Sequence, residues 1–346
     1  MNKISDISII IPAYNPDENF IRVVEGLCQE FSHVLVVNDG SSNNYSEVFA
    51  KVDSFSEVIL IEHSTNKGKG AALKTAFEYL QNVEKTKHLG SITVDADGQH
   101  LLKDVLNVYE QSKESGNNFF LIGVRDFSEN VPLRSKFGNM LTLFMLQLFY
   151  GLKLSDSQTG LRYVPMRLYS DMIKIGGERY EYELHCLLFL HKIKETIIQC
   201  PIETVYLKNN GSSHFRPIQD SWIIYKIFFK FGLSSIISFV IDIAVFAIML
   251  LITNHVLVST FTARVVSGGT NFWINKNYVF SAKQKYSKFI QIFSYLLLWF
   301  SLILVSGALV STVQEYSTNI IISFKIFVDS LLFIISYHIQ KRIIFR

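Results

Sequence analysis

The chain has 346 residues, 33 Lys and Arg against 30 Asp and Glu, and a formal net charge of +3. That balance gives no footing for nucleic acid as a partner, and the length allows one substantial domain plus a second region. Cys28, Cys186 and Cys200 lie far apart with no CxxC pair, which excludes a disulfide framework or zinc site and fits a reducing compartment.

The composition is uneven. Up to about Asp220, charges alternate with short apolar runs; after Trp222 the chain becomes a series of long apolar stretches. A water-facing domain followed by a membrane domain accounts for this shift. At the start, the run Ile7–Ile11 is too short for a secretory signal and ends at Pro12, so the first domain is expected to stay in the cytoplasm. The same run reads as a buried strand. Val34–Val37, Val58–Ile61, Ser91–Val94 and Phe119–Gly123 repeat the pattern, with helical periodicity over Asn19–Glu30, Ala71–Val83 and Leu102–Ser115. This alternation predicts a mainly parallel sheet, with ligands at the carboxyl ends of its strands.

The distinctive sequences fall at those ends. Asn38-Asp39-Gly40-Ser41-Ser42 is a turn whose carboxylate can also accept hydrogen bonds from a base or ribose. Asn66-Lys67-Gly68-Lys69-Gly70 opens a helix, where glycines and amides can approach phosphate and lysines add charge. It fits no Walker A loop, and no GxGxxG follows the first strand. Asp95-Ala96-Asp97-Gly98-Gln99-His100 places two carboxylates, one residue apart, where they can converge on a hard cation or form a solvated acidic turn.

The ordered set IPAYN (Ile11–Asn15), VNDGSS (Val37–Ser42), NKGKG (Asn66–Gly70) and DADGQH (Asp95–His100) resembles the family 2 glycosyltransferases of GT-A fold. The likeness is to their polyprenyl-phosphate branch, of the dolichyl-phosphate mannose synthase type. The resemblance implies nucleotide contacts from Pro12, Tyr14, Asn15, Asp39, Lys67, Gly68, Asp95 and Ala96. It implies Mg²⁺ or Mn²⁺ held by Asp95, Asp97 and Gln99. Asp95, Asp97, Arg125 and Arg134 would be catalytic, and Arg125, Arg134 and Arg162 are candidates for the acceptor phosphate. Asp156–Arg162 resembles the family's acceptor-side loop, and Arg179–Glu183 and Ser212–Arg216 are similar to other stretches of the family. Gly138 stands where the family often has serine.

Apolar stretches at Phe231–Thr253, Val256–Trp273, Phe289–Val313 and Ile320–His338 predict four spans. Lys276, Lys283, Lys285 and Lys288 in the second connection, with Lys341, Arg342 and Arg346 in the tail, place both termini in the cytoplasm. Asp242, Arg264, Lys325 and Asp329 fall inside the spans, where pairs Asp242–Arg264 and Lys325–Asp329 or a polar path are expected. With Lys230-Phe231-Gly232 and Asn271–Phe280, this part resembles the GtrA-like membrane domain.

The expected architecture is therefore an α/β GT-A domain over 1–216, an interfacial amphipathic helix over 217–230 and an all-α transmembrane bundle over 231–346. The expected function is inverting transfer of a hexose or N-acetylhexosamine from a UDP- or GDP-linked sugar to undecaprenyl or dolichyl phosphate at the plasma membrane, for surface glycan or glycoprotein assembly. The alternatives are a lipid-sugar flippase, a membrane scaffold, or a transferase with another lipid or polysaccharide acceptor. A homo-oligomer is compatible with all of these.

Overall fold

The computed structural model describes residues 3–17, 19–83, 89–116, 118–125, 133–203, 222–280, 287–313, 315 and 318–345. The chain divides into two units, Met1–Ile223 and Ile224–Arg346.

The first unit is built on seven strands: β1 (Ile7–Ala13), β2 (Val34–Asn38), β3 (Val58–Glu62), β4 (Gly90–Thr93), β5 (Phe120–Arg125), β6 (Arg162–Pro165) and β7 (Ile197–Ile202). Their order in the sheet is β3-β2-β1-β4-β6-β5-β7. The pairs among β1–β4 are parallel, as is β5 with β7, whereas β6 runs antiparallel between β4 and β5. The mainly parallel sheet expected from the sequence is present, with this one reversal. Because β6 is reversed, its first residue Arg162 pairs with Thr93, the last of β4. The carboxyl ends of β1, β2, β4 and β5 and the entry to β6 consequently share one edge.

Helices α1 (Asn19–Glu30), α2 (Ser46–Asp53), α3 (Lys69–Val83), α4 (Leu102–Glu114), α5 (Leu133–Tyr150), α6 (Tyr169–Lys174) and α7 (Glu181–Ile193) complete the unit. Alternate residues of a strand point to opposite faces. Ile7, Ile9 and Ile11 accordingly join Val34 and Val36 in a core with Phe20, Val24 and Leu27 of α1 and Val105 and Val108 of α4. Ile10, Leu35 and Val37 are buried too, with α3 packed on β1 and β2. Two covered faces explain why β1 and β2 read as continuous apolar runs rather than alternating ones. β1 continues past Pro12 to Ala13, two residues beyond the expected end. Its pairing to β4 stops at Ile10 while that to β2 continues, so the missing Pro12 N–H interrupts no ladder on the β4 side.

The second unit is built from α8 (Trp222–Thr253), whose first two residues fall in the first unit, with α9 (Val256–Ile274), α10 (Lys288–Ser311) and α11 (Thr318–Ile339). Four helices stand where four spans are expected. Phe229–Thr253 and Phe289–Ser306 are long and apolar enough to cross a membrane. The more polar α9 carries Arg264, Ser267, Thr270 and Asn271, and α11 carries Lys325 and Asp329. Residues 222–230, expected as the end of a separate interfacial helix, are continuous with the first long helix.

Leu251 is 83% exposed and Ile236 and Phe239 each 62%, so α8 is apolar on its outer surface. A face of that kind is unfavourable in water and suited to lipid. Inside, neutral polar groups pair across helices. Asn275 donates to Asn271 Oδ1 at 2.9 Å and to Gln340 Oε1 at 3.0 Å, while its own oxygen accepts from Ser234 at 2.6 Å. Tyr295 donates to Asn271 Oδ1 at 2.8 Å, and Gln340 donates to Ser336 Oγ at 2.9 Å. Asn275 and Gln340 each begin a π turn, Asn275–Val279 and Gln340–Ile344. The turns lead to Phe280 and Phe345, whose rings stack with centroids 5.5 Å apart.

A cavity of about 790 Å³ lies in this unit, lined among others by Asp242, Arg264, Asn271, Tyr295, Asp329 and Gln340. The expected Asp242–Arg264 pair is present at 3.7 Å, and Asp242 also accepts from Ser267 at 2.8 Å. Asp329 accepts from Ser306 at 2.8 Å. The expected Lys325–Asp329 pair involves the Lys325 side chain, which lies outside the described residues.

Candidate active site

At the shared edge, the loops after β1 and β2 are laced together. Asn15 takes a left-handed backbone, φ 47°, a conformation Asn tolerates better than most residues. There its amide donates to Ser41 Oγ at 2.9 Å and its side-chain oxygen accepts from Ser42 N at 3.0 Å. Pro12 sits in register with Val37, and Tyr14 is 41% exposed just beyond the strand.

Asp39 is buried. Its carboxylate accepts from the amides of Lys67 at 2.9 Å and Gly68 at 2.7 Å, and it lies 2.7 Å from His63 Nδ1. The other ring nitrogen of His63 lies 3.0 Å from Thr75 Oγ1. The Asp39 side chain thus joins the β2 turn to the loop that opens α3. That loop requires glycine for space as well as backbone freedom. Gly68 has φ 107°, and a Cβ there would stand 2.4 Å from Glu178 O; one on Gly70 would stand 2.5 Å from Tyr182 Cβ. The glycines expected to approach phosphate therefore also permit α3 to seat against residues 178–182. The Lys67 side chain is exposed.

Asp95, Ala96, Asp97 and Gln99 follow β4 directly. Asp95 Oδ1 is 2.7 Å from Lys69 Nζ, and its Oδ2 is 3.3 Å from His100 Nε2. Asp97 Oδ1 accepts from Gln99 N at 3.0 Å within its own turn. Burial opposes ionisation of Asp95, but the charges and hydrogen bonds of Lys69 and His100 outweigh it and hold the carboxyl far below its ordinary range. Asp97 moves the other way, raised by burial first and by the Asp95 charge second. Lys69, despite burial, is raised above its ordinary value by Asp95 and Glu183. Among the described residues, no group of three or more His, Cys, Asp or Glu side chains could hold a metal. The carboxylate donors at this turn are Asp95 and Asp97.

The network extends from there. Lys69 Nζ lies 3.0 Å from Glu183 Oε2, and Arg162 Nε lies 3.9 Å from Glu183 Oε1. Arg162 is buried and donates to the carbonyl oxygens of Glu183 at 2.8 Å and Thr159 at 3.0 Å. Arg125 forks onto the buried Asp156 at 2.6 and 3.1 Å. Arg125 and Arg162, two of the three arginines expected to meet an acceptor phosphate, hold the 156–162 loop, where carboxylate and carbonyl oxygens supply the acceptors. Gly160 lies against the first carboxylate, since a Cβ there would be 2.3 Å from Asp95 Oδ1. The third expected arginine, Arg134, is on α5, but its side chain lies outside the described residues, as do residues 212–216.

Lys69 and His63 were not singled out as site residues by sequence reasoning, and Asp156, Gly160 and Glu183 appeared there only within stretches that resemble the family. Lys69 was visible as part of NKGKG, but its partner Glu183 is 114 positions away, and no local pattern joins them.

Comparison with known proteins gives two family matches. Residues 8–174 match glycosyl transferase family 2, and residues 230–345 match the GtrA/DPMS transmembrane domain. A UDP-N-acetylglucosamine–dolichyl-phosphate N-acetylglucosaminyltransferase of Methanococcus voltae is 31% identical over 224 residues, covering 58% of this chain and 86% of the relative. An undecaprenyl-phosphate 4-deoxy-4-formamido-L-arabinose transferase of Salmonella choleraesuis is 25% identical over 167 residues, covering 46% of this chain and 48% of the relative. Among solved structures, mannosyl-3-phosphoglycerate synthase from Rubrobacter xylanophilus has 16% identity and a TM-score of 0.49, covering 64% of this chain and 71% of that one. The chain belongs to the family 2 glycosyltransferases, with the GT-A fold in its α/β unit and a GtrA/DPMS transmembrane domain in its helical unit.

Proposed function

We propose that this membrane protein transfers a hexose or N-acetylhexosamine from a nucleoside-diphosphate sugar to a polyprenyl phosphate, with inversion at the anomeric carbon. The observation that carries the reading is one sheet edge where Asn15 laces the β1 loop to the β2 turn, Asp39 holds the amides of Lys67 and Gly68, and the next residue, Lys69, reaches Asp95. Such an edge offers a diphosphate site beside a nucleoside site. The Methanococcus relative is named for a UDP-linked donor and dolichyl phosphate, which supports UDP over GDP and a polyprenyl acceptor here. The Salmonella relative is named for undecaprenyl phosphate, which supports the same acceptor class.

In the reaction, an acceptor phosphate oxygen attacks the anomeric carbon opposite the leaving diphosphate. The bond from that carbon to the diphosphate breaks, and its electron pair departs with the nucleotide. The attacking phosphate is already anionic, so the site needs to position and neutralise rather than deprotonate. Two carboxylates on one turn fit Mg²⁺ or Mn²⁺, which take one or two protein carboxylates and fill their remaining positions with phosphate oxygens and water. When bound, the ion neutralises the diphosphate and stabilises its departure. Asp97 and Asp95 would hold it with Gln99 on the same turn. Arg134 is the candidate for the acceptor phosphate, while Arg125 and Arg162 fix the acceptor-side loop.

The basic residues of the second connection and the tail support a multi-pass arrangement with both termini in the cytoplasm. At 1.5 Å per residue, α8 spans about 48 Å, well beyond a hydrocarbon core of about 30 Å. Its beginning, residues 222–230, is then available to the headgroup layer, at the end of the 217–230 stretch that links in sequence a catalytic domain over 1–216 and a bundle over 231–346. The cavity lined by Asp242, Arg264 and Asn271 favours a second, additional reading, passage of a lipid-linked headgroup through the bundle.

The test is incubation of the full-length protein with Mg²⁺ or Mn²⁺, polyprenyl phosphate and a panel of UDP- and GDP-sugars. A glycosylated lipid seen by mass spectrometry is the expected result, and one donor should dominate. Folded protein that yields no product from any donor would overturn the proposal.

A further inference from the structure

The two carboxylates of the Asp95–Asp97 turn are treated differently by the fold. Each oxygen of Asp95 faces a side-chain nitrogen, Lys69 Nζ at 2.7 Å and His100 Nε2 at 3.3 Å. For Asp97, the described contact is a single amide from its own turn, Gln99 N at 3.0 Å. Lys69 is itself fixed from its far side by Glu183 at 3.0 Å, and Glu183 in turn by Arg162. The Lys69 side chain is 14% exposed, so this is an internal ammonium rather than a surface pair. Neighbouring structure leaves it little room to withdraw. α3 begins at Lys69, and Gly68 and Gly70 on either side approach residues 178–182 too closely for any side chain.

We propose that Lys69 is a positioning residue that occupies Asp95 as a resident cation, keeps that carboxylate out of a divalent ion's coordination shell, and leaves Asp97 as the protein carboxylate that binds the ion. The proposal rests on the donor-site reading given above and revises it at one residue, taking Asp95 out of the ion's ligands. Its physical basis is competition for one pair of oxygens. A metal on an oxygen that already faces an ammonium would bring two cations to within about 4 Å of each other, and their repulsion weakens the site. One protein carboxylate makes a weak site for Mg²⁺ or Mn²⁺, so the ion binds firmly only when a diphosphate supplies further oxygens. Ion and donor then arrive together, and the site does not fill with metal in the absence of nucleotide. Glu183 keeps Lys69 in place, and Arg162 passes that constraint to the 156–162 loop.

The test is Mn²⁺ binding, read by electron paramagnetic resonance on the full-length protein in nanodiscs, without acceptor and with or without UDP. Lys69→Met should tighten Mn²⁺ binding in the absence of UDP by about tenfold, the size expected when a charge-assisted competitor is removed. Adding Asp95→Asn to that variant should abolish the gain. In the wild-type background, Asp95→Asn should change Mn²⁺ binding with UDP by less than about twofold, whereas Asp97→Asn should weaken it by about tenfold or more. Glu183→Gln, which leaves Lys69 facing Asp95 alone, should not tighten binding without UDP, and it provides a second variant should Lys69→Met fail to fold.

Two results would overturn the assignment: weaker or unchanged Mn²⁺ binding in Lys69→Met, or equal losses from Asp95→Asn and Asp97→Asn. The acceptor-free readout separates this from the transferase proposal. The expected Mn²⁺ pattern without any lipid product would sink the acceptor reading and leave the role of Lys69 standing.

Discussion

The two units of this chain hold buried polarity by opposite means. In the α/β unit, full charges alternate in sign from Asp95 through Lys69 and Glu183 to Arg162, and Arg125 closes on Asp156. In the helical unit, the inter-helix junction around Asn275 is neutral, made of amides and hydroxyls from Ser234, Asn271, Tyr295, Ser336 and Gln340. Its charged residues Asp242, Arg264 and Asp329 line a cavity instead. An ion pair inside a protein is favourable only when its desolvation is offset by good geometry and further hydrogen bonds. A sheet edge with loops on several sides can supply those bonds. Between helices surrounded by lipid, a neutral amide is the less costly polar group, because its failure to pair strands no charge.

The largest effect expected lies in the charged unit. Asp97→Ala should lower sugar transfer by about a thousandfold with the fold retained, measured as glycosylated lipid per unit time. Retained transfer would mean that the Asp97 carboxylate, beside this network, is not needed for the reaction. Arg162→Met should come next, because it leaves Glu183 and three carbonyl oxygens without their donor. A loss of about 3–5 kcal/mol is expected, seen as a lower thermal midpoint by circular dichroism. The neutral junction should be less brittle: Asn275→Leu is expected to cost about 1–2 kcal/mol, and the double variant with Gln340→Leu should recover part of it. If Asn275→Leu proved as damaging as Arg162→Met, the contrast between the units would fail.

The smallest effect concerns a carboxylate outside the network. Asp104 is buried, its Oδ1 accepts from Glu203 N at 3.2 Å, and its Oδ2 has no hydrogen-bond partner among the described residues. Burial raises its carboxyl above the ordinary value, with the Glu203 amide and Lys103 opposing. A raised acid keeps its proton to higher pH when folded than when unfolded. It therefore costs stability progressively as pH rises from the unfolded range through the folded value. Asp104→Asn should raise the thermal midpoint at pH 7 by about 1–2 °C and change little below about pH 4. A stabilisation of equal size at both pH values would show that the cause is not ionisation.

Much of this arrangement is legible in the sequence because its signals are local. The runs at Ile7, Val34, Val58, Ser91 and Phe119 each became a strand, and Asn19–Glu30 became a helix with the expected bounds. Asp39 and the Asp95–Asp97 pair stand out because short-range turn chemistry marks their stretches, and the resemblance carried by the ordered motifs gives them their expected roles. β6 was not found. It is four residues long, Arg162–Pro165, and its direction follows from its seat between β4 and β5 rather than from its composition. Arg125 and Arg162 read as candidates for phosphate, because a sequence shows a guanidinium but not the Asp156 carboxylate or Glu183 carbonyl it will meet.

By itself the sequence determined the α/β alternation, the apolar helices and the residues that punctuate the strand ends, since these rest on periodicity, turn preference and the length needed to cross a bilayer. Only the tertiary structure decided which charges are partners. Lys69 and Glu183 face each other across 114 positions of chain, and Gly160 makes room for Asp95 across a reversed strand. The energy of such contacts depends on distance and burial, which arise only when remote segments are packed on one another.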